Sequence, residues 1–187
     1  MAAEYPGALW IPHDKWGYPQ GRPGRGGQSF RFIVLHGTAS PGSAEEQALA
    51  FQTSLREAGT HFVIGQDGVV VQMCLIANAA WGNGGYQPGH ADYWPEEINA
   101  NLLTVSIEHC KPSPDNRDHL TAPQQEASFR LVRWLCETYQ IPRRPADSTS
   151  AGGITTHASI APIDRWFCPG PYPWERLWRH LAWALET

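Results

Sequence analysis

Two histidines and one cysteine stand where a metal ion could use them. His36 closes the apolar run FIVLH, and His157 closes the short β-rich run ITTH. Cys168 follows in a loop stiffened by Pro162, Pro169 and Pro171. A catalytic zinc takes three protein ligands from His, Cys or carboxylate and keeps a fourth position open. Strand ends hold ligands rigidly, and proline-rich loops lose less entropy on ordering. Asp164, in the same loop, is an alternative third ligand on these grounds. A histidine that ends a strand can equally serve only packing or capping. There is no H-E-x-x-H and no pair of closely spaced ligands, so a zincin plan and a structural zinc site are both disfavoured.

The run LTVSIEH (103–109) alternates strictly: Leu103, Val105 and Ile107 on one face, Thr104, Ser106 and Glu108 on the other. By that pattern alone Glu108 is a solvent-facing glutamate. Residues 77–101 form a long connection, and such loops are either functional or disordered; its aromatic content favours function. Trp81 and Trp94, in this loop, are candidates for a binding surface, whereas Trp134, Trp178 and Trp183 fall in helical patterns and read as core.

These groups need a scaffold. Residues 32–36 form a continuous apolar run, as in a strand buried on both faces. Ser43 to Glu46 is a capping box that opens a helix reaching about Glu57, stopped by Gly59. Gln66-Asp67-Gly68 between two β-rich runs predicts a hairpin. Thr121 to Gln124 reads as a second capping box, opening a helix to about Tyr139 with Ala127, Leu131, Trp134 and Leu135 on one stripe. Residues 154–157 read as a late strand, and Pro173 opens a last helix from Trp174 to about Leu185. The order β-α-β-β-β-α-β-α predicts one α/β domain, a mixed sheet flanked by helices. Residues 1–29 read as a proline- and glycine-rich arm packed on or near a domain of residues 30–187.

The 187 residues carry 14 basic and 18 acidic side chains, a formal net charge of −4. No basic run occurs, so nucleic acid is not expected as a partner. No stretch approaches the ~18 apolar residues of a membrane span. Cys74, Cys110 and Cys136 lie in apolar stretches and read as small core hydrophobes. No apolar segment of the secretory type follows Met1, so no signal peptide is expected.

Four segments, in order, resemble a known family: LHGTAS (35–40), THFVIGQDGVVVQ (60–72), TVSIEHC (104–110) and THASIAPIDRWFCPGPYPW (156–174). They are similar to the zinc amidases that include phage amidase-type lysozymes, bacterial N-acetylmuramoyl-L-alanine amidases and the peptidoglycan recognition proteins. The resemblance spans roughly residues 30–185. It implies zinc held by His36, by His157 of an H-x-x-I-A-P motif and by Cys168 directly before Pro-Gly; Asp164 lacks that Pro-Gly. It implies that Glu108 is the catalytic carboxylate and that His61 is not a ligand. Many members carry Trp-His-Ala-Gly where this chain has Trp81-Gly82-Asn83-Gly84, and some carry Tyr where it has Thr60; the resemblance places Thr60, Trp81 and Asn83 at the substrate. Members tend to carry Lys two residues before the third ligand. Here that position is Trp166, and the neighbouring Arg165 is the candidate to steady the oxyanion.

The implied reaction is hydrolysis of the amide between N-acetylmuramic acid and L-alanine by zinc-activated water. The expected setting is a monomer made in the cytoplasm and acting on the bacterial wall after release, as an endolysin does, with peptidoglycan or a muropeptide as partner. The alternatives are an intracellular muropeptide-recycling amidase and a non-catalytic peptidoglycan-binding module.

Overall fold

The computed structural model describes residues 2–18, 22–149 and 152–182. The chain forms β1 (Leu9–Trp10), β2 (Phe32–Gly37), α1 (Ala44–Thr53), β3 (Phe62–Ile64), β4 (Val70–Gln72), β5 (Thr104–His109), α2 (Ala122–Tyr139), β6 (Gly153–Thr156) and α3 (Trp174–Ala182). The strands make one mixed sheet in the order β1-β4-β3-β5-β2-β6. β2 lies parallel to β5 and β6, and β3 lies parallel to β5. β4 returns antiparallel to β3 across the Asp67-Gly68 turn, where Gly68 has φ +87°. The predicted end of α3 near Leu185, and Trp183 with it, lie outside the described residues.

Both faces of the sheet are covered. Ile33, Leu35, Val105 and Ile107 pack beneath α2 and α3, against Phe129, Leu131, Leu135 and Leu177. On the opposite face Val63, Val71 and Met73 meet Ala44 and Ala48 of α1. Phe32, Val34 and Leu103 there meet Trp94 and Ile160. The continuous apolar run of β2 is the consequence of lying between two layers. Among the described residues no helix is long and apolar enough to cross a membrane.

Four details differ from the sequence reading. Thr104 and Ser106 are fully buried, so the polar face of β5 is a covered one: Asn83 Nδ2 donates to Thr104 Oγ1 at 2.8 Å, and the long loop replaces solvent. α1 stops at Thr53 rather than near Glu57, because the Lys15 ammonium, from the amino-terminal arm, takes the carbonyls of Phe51 and Gln52. A cation is favoured at a helix carboxyl end, where carbonyls lack partners. The capping box at Thr121 is half made. Thr121 Oγ1 accepts from Gln124 N, but the Gln124 side chain donates to the carbonyls of Ile64 and Cys110 instead. Trp94 is 3% exposed and donates its indole N–H to Ser159 Oγ; it is core, not binding surface.

The arm is woven into this frame. β1 pairs parallel with β4. Glu4 Oε2 accepts from Gln72 Nε2 and from the Ile76 amide. Arg25, 6% exposed, donates to the carbonyls of Ile76, Asn101, Leu102 and Thr104.

Candidate metal centre

Strand register assembles the site. His36 stands opposite Glu108 in the β2–β5 ladder, and Leu35 stands opposite Thr156 in the β2–β6 ladder. His157 comes next, opening a 3-10 turn over His157–Ser159. Three adjacent parallel strands therefore end together, which is where open α/β sheets place their sites. The loop after this turn brings back Cys168, whose carbonyl accepts from Ala158 N at 3.4 Å.

One ring nitrogen from each histidine and the Cys168 sulfur lie within 4.8 Å of one another, and all three residues are buried. His36 Nδ1 and His157 Nδ1 are 3.0 Å apart. His157 Nε2 lies 3.0 Å from the main-chain oxygen of Asn83. A carbonyl only accepts, so Nε2 carries the proton and Nδ1 presents a lone pair. That lone pair faces His36, whose buried Nε2 has the Asn83 side chain as its neighbour but no hydrogen bond of full geometry. Burial, and the neighbouring His157, hold His36 well below the usual imidazole range; burial pushes His157 down to about 4. Both rings are thus neutral near pH 7.

Burial first, then Glu108, pushes the Cys168 thiol up to about 12, while the Gly37 N–H, Arg165 and Lys111 pull the other way. A divalent metal ion suits this set: it takes up two neutral lone pairs and ionises the thiol outright. Two nitrogens and one sulfur are the donors zinc accepts, and hard-oxygen cations do not.

Glu108 sits beside this group with Oε2 buried and unpartnered. Burial pushes its carboxyl up to about 8, and the Arg165 charge opposes that rise. Asn83 Oδ1 and Ser106 Oγ are unpartnered as well. Native interiors leave few such atoms; among the described residues those on His36, Asn83, Ser106 and Glu108 lie around this centre, and others lie on Gln124, Arg133, Arg143 and His180. A cleft of about 300 Å³ reaches the centre at His157 and is lined by Trp81, Asn83, Asp164 and Arg165 among others. A cleft of about 410 Å³ near Trp10, Trp16 and Met73 is larger. It lacks the converging ligand atoms, so the chemistry belongs to the smaller one.

The profile of the N-acetylmuramoyl-L-alanine amidase family matches residues 26–171, well over half of the chain. The chain belongs to this family. A crystal structure of an AmpD derivative is 19% identical to this amidase at a TM-score of 0.73, covering 97% of this chain and 99% of that one. The amidase LysC of Clostridium intestinale URNW is 19% identical, TM-score 0.52, with 82% and 85% covered. AmpDH3 of Pseudomonas aeruginosa, solved in complex with anhydromuramic pentapeptide, is 21% identical, TM-score 0.60, with 81% and 59% covered. At these identities the likeness is one of fold. No curated protein matches the chain.

The other residues singled out from the sequence separate in the amidase. Arg165 is exposed on the rim of the cleft, its nearest partner the Asp164 carbonyl at 3.4 Å. Trp81 lines the cleft and is fixed by an indole N–H bond to Gly17 O. Asn83 lines it too, but its main-chain oxygen orients His157, a role no side-chain pattern signals. Thr60 is brought elsewhere. It is 1% exposed and its hydroxyl donates to Ser106 O at 3.0 Å, so it braces β5 from behind and does not face the cleft. Asp164 accepts from Gln87 Nε2 on the rim, away from the ligand group. His61 is structural: it accepts from Ser106 N at Nδ1 and donates from Nε2 to Asn78 O.

Proposed function

We propose that this amidase cleaves the bond between the lactyl group of N-acetylmuramic acid and L-alanine, with His36, His157 and Cys168 holding zinc and Glu108 acting as general base. The observation that carries this reading is the meeting of two neutral imidazoles and one thiol beside an unpartnered carboxyl group, reached by an open cleft at His157. When bound, zinc supplies Lewis acidity towards an amide carbonyl and makes water acidic near neutral pH.

The chain's own residues do the rest. Asn83 O fixes the His157 tautomer. Glu108, whose ionised form a cation bound at the site would favour against the effect of burial, takes a proton at Oε2 from the attacking water and returns it to the leaving amine. Arg165 places positive charge where the oxyanion forms.

The expected substrate is the polymeric wall, reached after release from the cell. Purified sacculi and a soluble muropeptide, each incubated with and without chelator, provide the test. Release of peptide with a free L-alanine amino end, abolished by chelator, supports the reading. New reducing sugar ends insensitive to chelator would assign a glycosidase instead. Cleavage of the soluble muropeptide alone would assign recycling, and binding without release would assign a recognition module. Glu108→Ala should keep its zinc and lose turnover by about 10²–10⁴-fold; a fully active variant removes Glu108 from the mechanism.

A further inference from the structure

Lys111 follows β5 and has no accessible surface at all. A buried ammonium must place three protons. Here they meet main-chain carbonyls: Pro169 O at 2.6 Å, Pro171 O at 2.9 Å and Asn116 O at 3.5 Å. Asp118, the carboxylate whose charge acts on it, is engaged by the amide and hydroxyl of Ser113. The lysine is therefore committed to backbone oxygens, and two of the three lie just past Cys168.

Proline explains the need. In Pro169-Gly170-Pro171 only Gly170 owns an N–H, so the turn offers acceptors and almost no donors. The donors must come from elsewhere in the fold. The segment is also tightly seated: a Cβ on Gly170 would come within 1.9 Å of Asn116 O, and one on Gly37 within 3.1 Å of Pro169 O. Lys111 is itself anchored to the chain that follows His36. Its N–H donates to Thr38 Oγ1, and its carbonyl accepts from Ser40 N. One residue, through its main chain and its ammonium, thus joins the segment after the first histidine to the segment after the cysteine.

We infer that Lys111 is a positioning residue for Cys168: its ammonium gathers the Pro169 and Pro171 carbonyls and so presents the sulfur to His36 and His157. The inference rests on the metal reading of that trio. Without the cation the carbonyls repel one another and lie buried without partners, so the turn swings toward solvent and takes the sulfur with it.

The test is a double-mutant cycle on zinc affinity, read by competition with a chromophoric chelator. Lys111→Met should weaken zinc binding by about 10–100-fold, as loss of a supporting partner does. The Co²⁺ form of Lys111→Met should lose the sulfur-to-metal charge-transfer band that the parent shows. In a Cys168→Ser background the same change should alter affinity by less than about threefold, because coupled residues are not additive. An equal loss in both backgrounds, or parent-like affinity with the band intact, overturns the inference. If Lys111→Met does not fold, Lys111→Arg and Lys111→Gln decide. Arg keeps charge and donors and should retain the band, while Gln should lose it; equal behaviour overturns the inference. A parent that binds no metal overturns the metal reading as well, whereas a metal-binding parent indifferent to Lys111 overturns this inference alone.

Discussion

Glu108 is the side chain whose ionisation has the clearest cost to the fold. Its folded-state carboxyl titrates at about 8, raised by burial, against an ordinary glutamate range near 4.3 when unfolded. Between those values the folded state holds a proton that the unfolded state has lost, so stability falls as pH rises through the interval. Glu108→Gln removes that loss. In chelator-treated protein the melting temperature of Glu108→Gln should exceed the parent's by a margin that widens from pH 5 to pH 8, reaching several degrees. A margin that does not change with pH would show that Glu108 is not held protonated. Cys168→Ser should leave the fold intact and lose zinc on dialysis; unchanged metal content would move the third ligand elsewhere. His36, His157 and Cys168, which the structure brings together, were only candidates by their strand ends and proline-stiffened loop, with Asp164 a rival that the family resemblance alone set aside. Thr60 and Trp94 were misplaced because their surroundings are made by segments distant in sequence.

At the scale of elements, strands were easier to read than helix ends. β2, the β3–β4 hairpin and β5 follow from apolar runs and an Asp-Gly turn, which are local signals. The end of α1 is not local. Lys15 terminates it from outside, and no pattern within residues 44–59 records that. Lys15, 8% exposed, donates to two helix carbonyls. Hydrogen bonds to charged groups contribute about 1.5–3 kcal/mol each, so Lys15→Met should destabilise by about 1–3 kcal/mol. Urea titration measures this, with zinc content as a control that should not change. A loss below ~0.5 kcal/mol would mean that solvent replaces the cap without cost. The half-made box at Thr121 carries the same lesson: a motif specifies possible partners, and the carboxyl ends of β3 and β5 outcompeted the helix for Gln124.

For the molecule as a whole, buried neutral histidines set the acid limit. Burial lowers His13, and burial followed by the Arg25 charge holds His61 well below its ordinary range. The unfolded chain protonates these rings near pH 6.5, while the folded chain does not. Their contribution is fully present above that pH and is lost as pH falls below it. The urea midpoint should drop between pH 7 and pH 5, and His61→Asn should flatten the drop. A midpoint that holds or rises on acidification would contradict the assignment.

The seating of β1 against β4 has one more consequence. A chain trimmed to begin at residue 30 keeps every catalytic group and leaves β4 with a row of bare backbone donors and acceptors. Naked sheet borders recruit one another. The shortened enzyme should therefore elute as larger species than the intact chain at the same concentration, and light scattering would show the difference.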